Sequence, residues 1–396
     1  MTRPSVLFVT TSSNWPLTDG KRQRTWFLIE ALSKKYDVDL LLIGFESDKK
    51  QVEESTSSVK NLYYIDLKDS IFFQPGYPSL LLSKKEKEKK AIFFQEIKEF
   101  LTFNDVENKY SFLFSRYLQP LFAMPFLSKI KVVCDIDDVY FEVQKSRIQK
   151  EALFLRKIKL QVLFFLGSAK IKKVLKQLTV PIIVKESDRS FFGLQNAVCL
   201  PNLPFGFYIN PKISPFPTII TQPQELQFGF IGKLSYRPNY QGLIDFIHSV
   251  WNPIMQTEFN ARFIIAGSGE IPEELRKVIE SSKNIVLLGF VESAKLFWNQ
   301  ISVLVVPIAE GGGSNIKIAE AFINGKTVIA HQFSARGYDS FFNDSCLYIP
   351  QTNKDWIQVM TSLQQPSNEQ IEATAIKARS LFDLENWNQT FLDAIN

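Results

Sequence analysis

The sequence has 396 residues, of which 45% are hydrophobic and 22% charged, a composition that excludes a disordered or low-complexity chain. Its length exceeds the size at which a single core usually divides, so we expect two domains. The chain contains only two histidines and three widely separated cysteines, which argues against a zinc site and against a disulfide framework.

The charge is divided unevenly along the chain. Residues 1–203 contain 32 Lys or Arg and 23 Asp or Glu, a net charge of +9, whereas the remaining residues carry −4. A basic half can attract a nucleic acid, a phosphorylated ligand or an anionic membrane surface, although lysine-rich composition alone can also produce it. No nucleic-acid-binding motif is present, so we expect no nucleic-acid partner.

The sequence indicates a cytoplasmic protein. The first residues run directly into a strand-like segment without a cleavage site. The most apolar stretch, residues 160–168, is shorter than a membrane-spanning helix. Association with the inner face of the membrane is compatible with both observations.

Short apolar runs alternate with longer amphipathic segments, as in buried parallel sheets covered by helices. Strands are predicted at 6–10, 38–45, 62–67, 112–115, 131–136 and 181–184, then at 227–231, 262–266, 285–289, 303–307, 327–330 and 347–349. The pattern predicts two consecutive α/β domains. We place them at 1–203 and 226–380, joined by a proline-rich linker at 204–225 and followed by a closing segment at 381–396.

Ligands bind beyond the carboxyl ends of such strands, so the loops after them are the candidate sites. The strand at 131–136 ends in the carboxylates Asp135, Asp137 and Asp138. Crowded carboxylates raise one another's pKa and can act as a base or bind hydroxyl groups, although structural capping is an alternative.

Residues 145–176 are rich in Lys, Arg and apolar residues, with Glu151 as the only acid. A basic amphipathic helix of this kind can lie on anionic lipid. The alternative is a core-facing helix with a solvated lysine face.

Two loops in the second half combine glycine with cations. After the strand at 227–231 come Gly232, Lys233 and Arg237, followed by a helix that begins at Pro238 or Asn239. Surface cations in an ordinary loop are the alternative interpretation.

The second loop follows the strand at 303–307 and contains three successive glycines, Gly311, Gly312 and Gly313, before a helix that begins near Ser314 or Asn315. Such a loop favours phosphate. Lys317 and Glu320 share one face of that helix, which suits a nucleotide diphosphate sugar: a cation for phosphate and a carboxylate for sugar hydroxyls. A glycine turn with a solvated Lys/Glu pair is the alternative.

These motifs resemble the donor-binding signature of retaining GT-B glycosyltransferases of family 4, the glycosyl transferases group 1. The resemblance implies two Rossmann-like, doubly wound domains that face a central cleft. It also implies that Glu320 binds the nucleotide ribose and that the glycine loop lies against the diphosphate and sugar. Near relatives often carry Arg where this chain has Ala309 and Asn315, and a second Glu where it has Gly312.

The resemblance extends to further positions. The loop after the first strand contains Gly20, which would approach the donor phosphates, with Lys21 and Arg24 as electrostatic partners; Arg24 is equally compatible with a solvated helix charge. Trp387 would be a packing residue of the closing helix. The implied donor-binding set is Gly20, Gly232, Lys233, Arg237, Gly267, Phe290, Val291, Gly311, Gly312, Gly313, Ser314, Asn315, Lys317 and Glu320. The implied catalytic set is Lys233, Lys317, Asp137 and Asp138.

The implied activity is metal-independent, hexosyltransferase-like transfer from a nucleotide diphosphate sugar to an acceptor hydroxyl with retention. The acceptor would be a sugar or a lipid-linked molecule in surface polysaccharide or glycoconjugate synthesis. No metal or cofactor is expected, because the nucleotide sugar is a substrate. The alternative is a noncatalytic nucleotide-sugar-binding protein of the same fold.

Overall fold

The computed structural model describes residues 3–11, 17, 20–44, 46–53, 58–67, 82–124, 127, 129–137, 148, 153–204, 206, 208, 226–311 and 314–396. The chain divides into two compact units. The first unit comprises Met1–Phe205 together with Glu385–Asn396, and the second comprises Gly206–Leu384. The sequence analysis predicted that the first domain ends at residue 203, that the second begins at residue 226, and that the closing segment begins at residue 381.

The first unit is built on a sheet that has seven strands within the described residues. In chain order they are β1 (Ser5–Thr10), β2 (Asp37–Gly44), β3 (Asn61–Asp66), β4 (Phe112–Arg116), β5 (Lys131–Ile136), β6 (Val180–Ile183) and β7 (Val198–Cys199). Their order across the sheet is β3-β2-β1-β4-β5-β6-β7, with parallel pairing throughout. The strand order reverses between β1 and β4, which marks a ligand-binding position in sheets of this kind.

Helices surround this sheet. They span Gly20–Ser33, Glu46–Glu53, Lys84–Phe103, Val106–Lys109, Phe154–Leu175, Glu186–Phe192 and Leu384–Ile395, with a 3₁₀ helix at Pro120–Ala123. The central strands are buried on both faces: residues 6–9 and 40–43 have almost no exposed surface. This burial explains why their sequences are continuously apolar rather than alternating.

The second unit repeats the architecture with six strands in the described residues. They are β8 (Gln227–Ile231), β9 (Arg262–Ala266), β10 (Ile285–Gly289), β11 (Val303–Val306), β12 (Thr327–Ala330) and β13 (Leu347–Tyr348). Their order is β10-β9-β8-β11-β12-β13, again with parallel pairing. Here the strand order reverses between β8 and β11.

The helices of the second unit span Arg237–Phe246, Glu273–Glu280, Ala294–Trp298, Ile316–Ile323, Asn353–Ser362 and Asn368–Leu381. The first of these continues through a π-helical turn at Ile247–Trp251 into Asn252–Ile254, and a 3₁₀ helix lies at Asp339–Phe341. The predicted fold class, an α/β protein with two Rossmann-like, doubly wound sheets, is confirmed.

The closing helix Leu384–Ile395 packs on the first sheet. The indole Nε1 of Trp387 donates a 2.8 Å hydrogen bond to the Pro201 carbonyl, and the Phe391 ring lies edge-on to Phe114 with 5.6 Å between ring centres. The Lys131 ammonium donates to the Ile395 carbonyl at 2.6 Å. Trp387 therefore packs within the first unit. No helix in the described ranges is long and apolar enough to cross a bilayer.

Candidate functional site

The exits of β8 and β11 lie side by side in the second unit. The two strands pair directly, Val303 with Phe228 and Leu304 with Gly229. The predicted glycine and cation motifs follow these two strands, so the topology places both motifs at the point where the strand order reverses. Ligands are bound at that point in open parallel sheets.

The loops after β8 and β9 touch through glycines. The Gly232 amide donates to the Ala266 carbonyl at 3.1 Å, and a Cβ on Gly267 would lie only 1.7 Å from the Gly232 carbonyl oxygen. The Leu234 amide bonds to the Ser268 carbonyl at 2.7 Å. No side chain fits at Gly267, because backbone atoms occupy the space. The structure thus brings the predicted residues Gly232 and Gly267 into contact.

The ammonium group of Lys317 lies above the exit of β8. Lys317 is the second residue of the helix Ile316–Ile323. Its Nζ is 4.1 Å from the centre of the Phe230 ring and donates a 3.4 Å hydrogen bond to Oδ1 of Asn239. A Cβ on Gly232 would approach the same Nζ to 2.8 Å. The absence of a side chain at Gly232 therefore leaves room for the ammonium group beside the loop.

Lys317 occupies an unfavourable electrostatic position. Burial lowers the pKa of its ammonium group to about 7, although the charge of Glu320 opposes this shift. The first turn of a helix also carries positive potential, and no acidic residue lies in the first turn here. A bound anion would relieve both costs, so the position suits a phosphate-bearing ligand.

Glu320 lies one helical turn after Lys317. Burial raises the pKa of its carboxyl group to about 7, with the Lys317 charge opposing the shift. Within the described part of the chain, the one side chain that donates a hydrogen bond to Glu320 is Asn324. Its Nδ2 donates to the backbone carbonyl of Glu320 at 2.7 Å, not to the carboxylate. The carboxylate keeps its hydrogen-bonding capacity, as a group that binds ligand hydroxyls requires.

The start of the Lys317 helix is held by a network that the sequence did not reveal. Asn315 makes no side-chain cap to this helix; its Nδ2 bonds to the Ser334 carbonyl at 3.4 Å. The Tyr338 hydroxyl donates to the Asn315 carbonyl at 2.8 Å, and Ser334 Oγ donates to the Ile308 carbonyl at 2.6 Å. The start of the helix is thereby fixed without a side-chain cap from Asn315.

The other residues predicted to bind the sugar donor in the second unit lie in or next to the segments that follow β8, β10 and β11. Gly311 has φ +128°, and a Cβ there would be 3.5 Å from the Tyr236 hydroxyl. Phe290 is 73% exposed directly after β10. Ser314 and Val291 are half-buried, and Lys233 and Arg237 are exposed. Gly312 and Gly313 lie outside the described residues.

In the first unit, the predicted carboxylates form part of a buried ion network. Arg24 donates to both oxygens of Asp135, at 2.9 and 2.7 Å, and Arg116 lies 2.8 Å from Asp135 and 2.7 Å from Asp137. Asn202 connects Arg24 to Asp137. Its side-chain oxygen accepts a hydrogen bond from Arg24 at 3.1 Å, and its side-chain nitrogen donates one to Asp137 at 2.9 Å. The side chains of Arg24, Asp135 and Arg116 are completely buried.

This network corrects two expectations. Arg24 is neither a solvated helix charge nor available to a donor, because its guanidinium also bonds to the carbonyls of Leu200 and Pro201. The expected rise in the pKa of the Asp137 carboxyl is not found, because Arg116 and Arg24 lie close to it. Burial alone would raise the pKa of Asp137, but Arg116, Arg24 and the bond from Asn202 hold it well below its usual range.

Asp137 is therefore ionised and already bonded to Arg116 and Asn202 in this structure, which is unfavourable for a general base. Its catalytic assignment stays a prediction, and Asp138 lies outside the described residues. Gly20 is the first residue of the helix Gly20–Ser33, and Lys21 is exposed at its start. Their contacts with a donor also stay predictions. The described residues contain no group of three or more His, Cys, Asp or Glu side chains arranged to hold a metal ion.

The geometry can be compared with known proteins. Residues 225–365 match the family model of "Glycosyl transferases group 1". No curated protein matches the sequence. The fold matches solved structures over almost the whole of each chain. Anabaena HepE in complex with UDP is 14% identical, with 99% of both chains covered and a TM-score of 0.61.

A glycosyltransferase from Rickettsia africae is 10% identical, with 99% of this chain and 98% of that chain covered and a TM-score of 0.59. An E. coli protein bound with UDP-2-fluoro glucose is also 10% identical, with 98% of each chain covered and a TM-score of 0.61. The fold is therefore GT-B, and the resemblance to glycosyl transferases group 1 is confirmed over residues 225–365. Assignment to family 4 stays a prediction.

Proposed function

We propose that this chain, whose second unit carries the glycosyl transferases group 1 match, transfers a sugar from a nucleotide diphosphate sugar to an acceptor hydroxyl. The observation that carries the proposal is the pair Lys317 and Glu320 at the exits of β8 and β11. One helix presents a desolvated cation and, one turn later, a desolvated carboxylate. A nucleotide diphosphate sugar offers phosphate charge to the first and ribose hydroxyls to the second.

The structural relatives support the choice of ligand. HepE has been crystallised with UDP, with UDP and glucose, and with UDP-glucose. We therefore propose that the second unit binds the donor, with Glu320 on the ribose and Lys317 on the diphosphate. The backbone around Gly232 and Gly311 would approach the phosphates, because neither residue carries a side chain that obstructs them.

We propose that catalysis comes mainly from stabilising the departing diphosphate. Negative charge accumulates on that group as the bond from the sugar to the phosphate oxygen breaks, so cations placed there act most strongly in the transition state. Lys317 and the exposed Lys233 are the candidates in the second unit. The proposed reaction retains the anomeric configuration and uses no metal ion and no protein nucleophile.

A sugar or lipid-linked hydroxyl in surface polysaccharide or glycoconjugate synthesis is what the family resemblance suggests. An assay of nucleotide release with water, monosaccharides and membrane-extracted lipid glycans separates these possibilities.

The donor site is tested by thermal stabilisation. Purified protein should be stabilised by one nucleotide and its sugar among UDP, GDP and their common hexose derivatives, and should release the nucleoside diphosphate when an acceptor is present. Stabilisation without sugar transfer to any acceptor in the panel would favour the noncatalytic nucleotide-sugar-binding alternative. If none of these ligands stabilises the protein, the proposed donor site is wrong.

A further inference from the structure

The helix Phe154–Leu175 presents an exposed apolar stripe to solvent. Six large apolar side chains in its first four turns are between 41% and 80% exposed. They are Phe154, Leu155, Ile158, Val162, Phe165 and Leu166. At about 100° per residue, these positions fall within about 120° of the helix circumference. Scattered surface apolar residues are normal, but a continuous stripe on one helix face marks an interaction surface.

The opposite face of the same helix is fixed in the core. Gly167, Ile171, Val174 and Leu175 are its buried residues, and the last three belong to the core of the first unit. Their positions lie on the side of the helix away from the stripe, at the same rotation of about 100° per residue. The helix is thus anchored through its last turns, and its solvent face carries the apolar stripe. Sequence analysis gave a solvated lysine face as the alternative to lipid binding, and the structure shows exposed lysines together with exposed apolar side chains.

The charged side chains of this helix are all cations, and the exposed Lys159, Lys172 and Lys173 lie on or beside the stripe. The helix contains six Lys or Arg and no acidic residue: Arg156, Lys157, Lys159, Lys170, Lys172 and Lys173. Burial and the neighbouring charge of Lys90 lower the pKa of Lys170, whose ammonium group lies 5.1 Å from the centre of the Phe122 ring. An anionic surface would compensate this crowding of cations.

We propose that this stripe and its bordering cations, which we name the docking helix face, bind the surface of an anionic lipid bilayer. A helix with large apolar side chains and flanking Lys or Arg lies in the interface plane, with its apolar side among the acyl chains and its cations at the headgroups. A second copy of the chain fits this face poorly, because two-fold pairing would place like charges against each other. The proposal does not depend on the proposed transferase activity.

The test is flotation of the full-length protein with vesicles. One set contains phosphatidylcholine alone, and a second contains phosphatidylcholine with phosphatidylglycerol. Two variants address the two components of the surface: Phe154→Ser/Phe165→Ser removes exposed rings, and Lys172→Glu/Lys173→Glu reverses charge. The matched control is Phe342→Ser/Ile376→Ser, which removes apolar side chains that are 43% and 56% exposed in the second unit.

Wild type and control should float with the anionic vesicles and bind neutral vesicles weakly. Each docking-face variant should lose at least about tenfold in partitioning, because ring burial and headgroup attraction both contribute. Thermal stabilisation of each variant by a nucleotide sugar, where wild type shows it, reports separately on the donor site. Wild type that remains unbound to anionic vesicles at low salt overturns the proposal. So does a concentration-dependent dimer that the ring variant abolishes, since the stripe would then be a protein interface.

Discussion

Asn239 connects Lys317 to the loop after β8: its side-chain oxygen accepts from the Lys317 ammonium at 3.4 Å, and its nitrogen donates to the Lys233 carbonyl at 2.8 Å. Asn239 is itself buried. One amide therefore fixes a cation of the helix Ile316–Ile323 against the backbone of the loop after β8, and the Phe230 ring contacts the same ammonium group. This arrangement makes the position of Lys317 sensitive to small changes around it.

Gly232→Ala should weaken donor binding with little effect on stability. The added Cβ would meet two side-chain ends, Lys317 Nζ at 2.8 Å and Asn239 Nδ2 at 3.0 Å, and both can move. The ammonium group is then displaced from the position at which we propose that it binds the phosphates. Calorimetric titration with the nucleotide sugar should show at least about a tenfold loss of affinity, equivalent to roughly 1.4 kcal/mol.

Gly267→Ala should instead reduce the stability of the second unit. Its Cβ would lie 1.7 Å from a backbone carbonyl oxygen, so the loops themselves must separate. We expect a loss of about 1–3 kcal/mol in urea unfolding, typical of overpacking. Equal stability of the two glycine variants would contradict the geometry of these loops.

Donor binding should change the protonation of the site in opposite directions at pH 6 and pH 8. Lys317 and Glu320 both have a pKa near 7 in the unliganded protein. At pH 8 Lys317 is mostly neutral, and a diphosphate favours its protonated form, so binding takes up a proton. At pH 6 Glu320 is mostly protonated, and ribose hydroxyls favour its carboxylate, so binding releases a proton.

Calorimetry in two buffers that differ in ionisation enthalpy measures both effects. The uptake at pH 8 should disappear in Lys317→Met, and the release at pH 6 should disappear in Glu320→Gln. A nucleotide sugar is suitable because its diphosphate diester does not titrate in this range. Binding without proton exchange at either pH would show that the donor does not contact this pair.

Lys233→Ala should lower turnover more than donor affinity. The side chain is exposed in the unliganded structure, so it contributes little to a fixed ground-state site. Charge that develops on the leaving diphosphate should increase its contribution in the transition state. The measurement is kcat compared with the donor Kd, with Lys277→Ala at an exposed position of the helix Glu273–Glu280 as the control. Unchanged kcat would remove Lys233 from the mechanism.

Asp135→Asn should destabilise the first unit by about 3–5 kcal/mol, because two buried arginines lose their shared counter-ion. Asp37→Asn is the matched control, since Asp37 pairs with the exposed Lys60 and its loss should cost far less than that of Asp135. Urea unfolding compares the two variants. Similar small losses in both would show that the buried network contributes little.

The sequence predicted the fold well because buried parallel strands leave a clear signal. The apolar runs gave strands such as β5 and β11 within one residue, since both faces of the sheet are covered. The boundaries of helices were less certain. The helix expected near Ser314 or Asn315 begins at Ile316, after the non-helical backbone of Asn315, whose side chain bonds to the Ser334 carbonyl instead of capping the helix.

The site was predicted only in part. Glycine and cation motifs indicated Gly232, which directly follows β8, and Lys317 and Glu320, which lie in the first helix after β11. Tyr338 and Ser334 follow later in the chain and carry no motif, so their bonds to the site backbone could be found only in three dimensions. The ion pairs of Asp135 could not be predicted, because its partners, Arg24 and Arg116, are distant in sequence.

The most direct test of the donor site is the affinity of Glu320→Gln for the nucleotide sugar that stabilises the wild-type protein. The amide has one acceptor oxygen and no charge, so two ribose hydroxyls lose charge-assisted bonds worth about 1.5–3 kcal/mol, or roughly a 10- to 150-fold loss of affinity. Glu274→Gln, on the exposed face of the helix Glu273–Glu280, should bind as wild type does. A Glu320→Gln variant that binds the nucleotide sugar with unchanged affinity would contradict the proposed donor site.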